Sequence, residues 1–185
     1  MRLENSFQVP ASREQAWRLL NDVPSVVPCM PGAELVEVVD ENTWTAKLHV
    51  KLGPIALQFL ADVAREEMDE AGGRMVLGVK AREAKGRGSA EATIESTLAT
   101  ANGGTRVDIV TELALRGAVA QYGRGVVADV ASRLTAQFAH CIAGKLADST
   151  SPSPEPTTET APVGGLRLLL GALWRSLFRR SRGAT

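Results

Sequence analysis

Apolar and polar residues change their spacing along the chain, and each change predicts a new element. Residues 2–9 alternate weakly between the two types and end at a proline, which predicts a strand. Ser12 then stands three residues before Gln15, the spacing of a capping box, and predicts the start of a helix. Asp22 followed by Pro24 predicts the cap and first turn of a second short helix.

Between residues 33 and 117 the spacing changes to two, which is the period of strands. Turn signals such as Gly53-Pro54 and Asn102-Gly103 divide this region and predict six further antiparallel strands with one apolar face. From Gly117 to Leu146 apolar residues recur every fourth position, which predicts one long helix with Tyr122 in its first turn. The predicted fold class is therefore α+β: a bent seven-stranded antiparallel sheet around a long C-terminal helix, with two short helices after the first strand.

The inward positions of this sheet are aliphatic and of modest size. The chain has three Trp, one Tyr and four Phe, and two of these eight aromatic residues stand in the last 21 positions. A bent sheet that is closed by one helix and filled with small side chains leaves room for an apolar cavity. A fully packed core is the alternative, because native interiors normally leave few voids. The sequence leaves both alternatives open.

Charge and proline content separate the end of the chain from the body. All 21 acidic residues and 16 of the 21 basic residues precede residue 165, which gives the body a net charge of −5 and the last 21 residues a charge of +5. The acidic body excludes a basic nucleic-acid-binding domain. Residues 149–164 contain four prolines and no aromatic residue, which predicts a semi-stiff linker after a domain of residues 1–148.

Residues 165–185 predict a basic amphipathic helix. Its apolar arc holds Leu166, Leu169, Leu170, Leu173, Trp174, Leu177 and Phe178. Arg175 and Arg179 fall on the opposite face, which favours binding to an anionic membrane surface. Docking into a partner groove or onto the protein's own body are the alternatives, and the Pro-rich linker and unpaired arginines disfavour the second. No apolar run approaches the roughly 18 residues of a membrane span, and the N-terminus lacks the apolar stretch of a secretory signal.

Residues with catalytic or metal-binding potential are few and scattered. His49 and His140 are the only histidines, and no motif of a nucleophile, a metal site or a phosphate-binding loop occurs. We therefore expect no catalytic residue and no metal. Cys29 and Cys141 are too few for a disulfide framework, and we expect reduced intracellular thiols.

An acidic run lies at the predicted end of one strand. Glu66, Glu67 and Glu70 belong to it, and such runs are most often solvated. A partner-docking patch is the functional alternative.

Several spaced segments resemble the family of the carbon monoxide dehydrogenase G subunit, within the START/Bet v 1-like (SRPBCC) superfamily. The segments are VPSVVPCMPGAELVEV at 23–38, GRGSAEATI at 86–94, GGTRVDIVTELALRGAVAQYGRGVV at 103–127 and RLTAQFAHCI at 133–142. The resemblance covers about residues 1–147 and implies a helix-grip fold. The Arg-rich ending departs from the family pattern and leaves the mode of membrane attachment open.

The resemblance also implies a function. Members accompany molybdenum-containing carbon monoxide dehydrogenases and related hydroxylases as accessory proteins. They are thought to hold the enzyme at the inner face of the cell membrane and to carry a respiratory quinone, such as menaquinone, in the helix-grip cavity. The expected partners are thus the hydroxylase, an anionic membrane surface and the quinone, with no covalently bound cofactor. A soluble carrier or cyclase of the wider superfamily and a ligand-free tether are the alternatives.

The predicted fold assigns candidate residues to that cavity. Tyr122 is the first candidate to donate a hydrogen bond to a quinone carbonyl, and an ordinary core contact is its alternative role. Met30 would stand near the cavity mouth, as a gate or as filler. The tail path would be lined by Phe59, Met75, Leu77, Val126, Val130 and Leu134. Ser96 and Thr111 are the polar exceptions among the inward positions of the sheet.

Overall fold

A single antiparallel sheet forms one wall of the molecule. The computed structural model describes residues 1–52 and 55–150. The seven strands are β1 (Arg2–Val9), β2 (Ala33–Val38), β3 (Thr43–Leu52), β4 (Ile55–Asp69), β5 (Arg74–Glu83), β6 (Gly88–Ala101) and β7 (Gly104–Gly117). Their order in the sheet is β1-β7-β6-β5-β4-β3-β2, so every strand after β1 pairs with its neighbour in sequence. The predicted Gly53-Pro54 turn lies outside the described residues.

Two short helices follow β1, as the capping signals predict. Helix α1 (Arg13–Asn21) begins with a complete capping box, in which the Ser12 hydroxyl accepts the N–H of Gln15 and the Gln15 side chain accepts the N–H of Ser12. Helix α2 (Val23–Val26) is capped by the Asp22 carboxylate, which accepts the N–H of Ser25. A 3-10 turn (Val27–Cys29) then leads through Met30 and Pro31 into β2.

Gly32 allows the chain to turn into β2. It adopts a φ of +77°, and a Cβ at this position would lie 2.4 Å from the carbonyl oxygen of His49. A residue with a side chain would be strained in this conformation and would clash with the neighbouring strand.

The long helix begins later than its apolar spacing predicts. A 3-10 helix (Ala118–Tyr122) follows β7. Helix α3 (Gly123–Thr150) begins directly after it, and the φ of +73° at Gly123 breaks the helical path between the two. Tyr122 therefore lies in the 3-10 helix and not in the first turn of the long helix, which is a correction to the prediction. The helix continues to Thr150, four residues beyond the predicted end at Leu146. Residues 151–164 of the predicted linker lie outside the described residues. The α+β class and the helix-grip arrangement are confirmed.

The cysteines form a disulfide, so the prediction of two reduced thiols is wrong. Cys29 in the 3-10 turn and Cys141 on α3 are bonded, with a Cα–Cα distance of 5.3 Å and a sequence separation of 112 residues. Cys29 is buried within the core cluster that includes Ile142, and Cys141 packs against that cluster. Spacing along the chain could not reveal this pairing, because it depends on how α3 packs against the 3-10 turn. The argument for a reducing compartment therefore loses its support.

We expect the double variant Cys29→Ala, Cys141→Ala to lower the free energy of unfolding by about 2–5 kcal/mol, because the bond closes a long loop. Urea unfolding monitored by circular dichroism would measure the change. A reductant should destabilise the wild type and leave the double variant unaffected. Two free thiols per chain in protein purified without reductant would contradict the disulfide.

Candidate ligand-binding cavity

The sheet and the helices enclose a cavity of about 500 Å³. This volume lies within the range of ligand-binding pockets, roughly 300–1,000 Å³, and is far larger than an ordinary packing void. All seven strands contribute to one side, with only Ala33 from β2, and the α1–α2 region and α3 form the other. The finding favours the cavity over the packed core, the two alternatives that the sequence left open.

Small side chains on neighbouring strands create much of this space. Ala61 of β4 pairs with Ala81 of β5, and Ala81 pairs in turn with Ala90 of β6. All three alanines line the cavity, so three adjacent strands present only methyl groups at the same level of the sheet. Larger aliphatic residues in this row would fill the volume that a ligand needs.

The structure places seven of the eight predicted ligand-binding residues on the cavity wall. These seven are Tyr122, Met30, Phe59, Met75, Leu77, Val130 and Leu134. Val126 is a correction, because its side chain is 43% exposed and lies outside the wall. Its neighbour Val127 lines the cavity instead. Residues four apart on a helix are rotated by about 40° relative to each other, so Val126 falls off the face that Val127, Val130 and Leu134 share.

Polar groups on the wall are few. Ser96 and Thr111 line the cavity as expected from the sequence. The sequence analysis missed four others, namely Asn5, Asn21, Lys47 and Thr135. Asn5 was detectable, because it stands at an inward position of β1 between Leu3 and Phe7. The wall therefore suits a largely apolar ligand with a small polar part.

An ion pair that the sequence did not indicate joins buried Glu83 to half-buried Arg87 at the β5–β6 turn. The Glu83 side chain is fully buried, and its carboxylate accepts a hydrogen bond of 2.7 Å from the Arg87 guanidinium. The backbone N–H groups of Lys85 and Arg87 donate to the other carboxylate oxygen at 2.9 and 3.1 Å. The Arg87 hydrogen bond is the main reason why the pKa of Glu83 is lowered to about 2. The ion pair and the two backbone hydrogen bonds together hold the β5–β6 turn in place.

The predicted docking residues lie at the β4–β5 hairpin and are exposed. Glu67 forms an ion pair with Arg74, which also binds Glu95 at 3.0 Å and lowers the pKa of that carboxyl. Glu66 stands at a β-bulge, where the register between β4 and β5 shifts, and its carboxylate lies over Gly78. Arg74 therefore partly neutralises the acidic surface that the sequence analysis assigned to a partner.

The predicted membrane-binding segment and the expected absence of a metal site also bear on the proposed function. The nine predicted membrane-binding residues between positions 166 and 179 lie outside the described residues. Within the described ranges, no helix is long and apolar enough to cross a membrane. The same part of the chain contains no group of three or more side chains that could hold a metal ion.

Comparison with solved structures shows the fold. A conserved protein from Geobacillus kaustophilus is 21% identical, with a TM-score of 0.72 over 80% of this chain and 97% of that one. The Zhui aromatase/cyclase from Streptomyces sp. R1128 is 15% identical, with a TM-score of 0.58 over 80% and 93%. Ara h 8.0201 is 16% identical, with a TM-score of 0.53 over 80% and 98%. These identities are too low to transfer a ligand or a reaction.

Sequence comparison shows the family. No curated protein matches the chain. Residues 6–147, which include every strand except the start of β1 and nearly all of α3, match the family of the carbon monoxide dehydrogenase G subunit (CoxG). The chain therefore belongs to the CoxG family.

Proposed function

We propose that the protein carries a respiratory quinone of the menaquinone type for a molybdenum-containing carbon monoxide dehydrogenase or a related hydroxylase. The observation that carries this proposal is the cavity of about 500 Å³ with an almost wholly apolar wall, in a chain of the CoxG family. An isoprenoid tail needs apolar burial and few hydrogen bonds, and a quinone ring needs one or two donors. The protein would thus deliver the quinone to the enzyme as an electron acceptor, and it would not itself be an enzyme.

The family supports an accessory role, because it is named for one subunit of the dehydrogenase. Helix-grip neighbours such as the Zhui aromatase/cyclase carry a different function on the same fold. A cyclase-like or lipid-carrying role is therefore the competing proposal. The two differ in the ligand that the cavity selects.

Titration with menaquinone-4 tests the proposed function. Quenching of Trp17, which lines the cavity, would report binding. We expect saturable binding by the full chain and transfer of the quinone from vesicles to the protein. Binding of fatty acids or aromatic polyketides with no binding of the quinone would favour the competing role.

The membrane part of the proposal depends on residues 165–185. Their charge of +5 and their apolar arc support attachment to the anionic inner face of the cell membrane. A peripheral carrier at this surface would exchange quinone with the bilayer while it remains bound to the enzyme. Docking of the arc into a groove of the enzyme is the alternative.

We also propose that the β4–β5 hairpin docks on the dehydrogenase. The triple variant Glu66→Lys, Glu67→Lys, Glu70→Lys should slow association with the purified enzyme about tenfold and weaken its salt dependence. Stopped-flow or surface-binding kinetics at two salt concentrations would measure both effects.

A control with the same change of charge tests whether the position matters. Glu34, Glu37 and Glu41 are exposed acids at the β2 edge, and no ion pair is found for them among the described residues. The triple variant Glu34→Lys, Glu37→Lys, Glu41→Lys should slow association with the dehydrogenase less than the hairpin variant does. Equal slowing by both triple variants would show that net charge alone acts and that the hairpin is not the docking site.

A further inference from the structure

Three polar side chains on neighbouring strands lie together on the cavity wall. Ile109 of β7 pairs with Asn5 of β1 on one side and with Ser96 of β6 on the other. Thr111 is the next inward residue along β7, so it is a diagonal neighbour of both polar residues, at about 7–8 Å. All three line the cavity, and we call them, with Thr135, the polar patch.

Two contacts place Thr135 of α3 on the same side of the cavity. The Arg124 guanidinium, at the start of the helix, donates to the backbone oxygen of Arg2 at 3.2 Å. Further along, the Phe138 ring packs edge-on against Phe7 with a centroid distance of 6.0 Å. The helix therefore runs along β1 in the same direction. Thr135, about one turn before Phe138, lines the cavity over the part of β1 that holds the patch.

The four side chains of the polar patch have no partners of their own. Each is half-buried, and within residues 1–52 and 55–150 none of them makes a side-chain hydrogen bond. Asn21, elsewhere on the wall, donates its amide N–H to the backbone oxygen of Trp17 at 2.9 Å, while its Oδ1 is buried without a partner. Polar groups in protein interiors are normally hydrogen-bonded. The patch therefore presents donors and acceptors that are free to bind a molecule inside the cavity.

We propose that the polar patch binds the oxygen-bearing head group of the carried ligand. Hydroxyl groups of Ser96, Thr111 and Thr135 donate and accept, and the Asn5 amide does the same, so the patch suits carbonyl or hydroxyl oxygens on an uncharged ring. This inference rests on the proposed carrier function and replaces Tyr122 as the first candidate for the head group.

The remaining cavity then holds the apolar tail. Ile94 of β6 pairs with Thr111. Ala90, which forms the alanine row with Ala61 and Ala81, lies four residues before Ile94 on the same strand, so the two are about 13 Å apart. Val119 and Tyr122 belong to the cluster at that end, with Ala81 and Phe59. A head group at the polar patch would extend its isoprenoid chain along the alanine row toward Tyr122.

The test compares a quinone with a ligand that lacks oxygen. The variant Asn5→Leu, Ser96→Ala, Thr111→Val, Thr135→Val removes the hydrogen-bonding groups with little change of volume. We expect its affinity for menaquinone-4 to fall about 2- to 10-fold for each hydrogen bond lost. Its affinity for a tetraprenyl hydrocarbon should stay the same or rise. Thr93→Val, an exposed position of β6, is the matched control and should bind both ligands as the wild type does.

Each outcome decides the proposal. Loss of quinone affinity with retained hydrocarbon affinity would support it. Unchanged quinone affinity in the fourfold variant, with a large loss in Tyr122→Phe, would place the head group at Tyr122 and overturn it. Equal loss for both ligands would indicate a damaged cavity and would also count against it. A wild type that binds the hydrocarbon and not the quinone would instead overturn the proposed function itself.

Discussion

Val130→Trp will abolish quinone binding while the domain stays folded. Val130 lines the cavity from α3, and an indole at this position would occupy the volume that the ligand needs. Overpacking of a well-packed core usually costs about 1–3 kcal/mol, but a cavity of about 500 Å³ accommodates the larger ring. Menaquinone-4 titration would measure binding, and urea unfolding would measure stability. Leu77→Trp, on the opposite wall, should have the same effect.

The same substitution one turn earlier provides the control. Val126 is on the same helix but is 43% exposed and lies outside the cavity, so Val126→Trp should bind quinone normally. This comparison separates cavity filling from a general effect of tryptophan on α3. If Val130→Trp and Leu77→Trp both retain the quinone affinity of the wild type, the ligand binds elsewhere.

Deletion of residues 165–185 will release the protein from anionic vesicles. The segment carries all five of the basic residues beyond residue 164, and each basic residue near an anionic surface contributes about 1 kcal/mol to binding. The leucines, Trp174 and Phe178 add burial of apolar surface. Co-sedimentation with vesicles that contain phosphatidylglycerol would measure the loss. High salt should weaken binding of the full chain only in part, because the apolar contribution is not screened.

Two point variants separate the two contributions. Arg175→Gln with Arg179→Gln should reduce the salt dependence, because three of the five arginines remain. Trp174→Ala with Phe178→Ala should weaken binding at every salt concentration. The truncated protein should still bind menaquinone-4, because the cavity lies within the described residues. Equal vesicle binding by the full and the truncated chain would exclude a membrane role for the segment.

The fold could be predicted because its signals are local. The period of two between residues 33 and 117 predicts strands, and these pair with their sequence neighbours, with β-bulges only between β2 and β3 and between β4 and β5 among the described residues. Ser12 and Asp22 cap the two short helices as their spacing indicates. The inward faces of the strands also identified most of the cavity wall, because side chains alternate across a strand.

The disulfide and the exact lining of the cavity could not be predicted, because they depend on how elements distant in sequence pack together. The bond between Cys29 and Cys141 spans 112 residues, and no spacing rule connects them. The four-residue spacing assigns Val126 to the same face as Val130, but each step of four rotates by about 40° on a helix, which takes Val126 off the cavity wall. Asn5 interrupts the apolar face of β1 between Leu3 and Phe7, and the fold of the sheet over α3 makes this inward polar group part of the cavity wall.

Mass spectrometry of lipid-soluble molecules extracted from the full chain tests the central claim most directly. The protein would be produced in a host that makes menaquinone and purified without detergent, and Val130→Trp would be purified in parallel. We expect close to one quinone per protein from the wild type and none from the variant. An extract without quinone, or one with a different lipid in equal proportion to the protein, would contradict the carrier function.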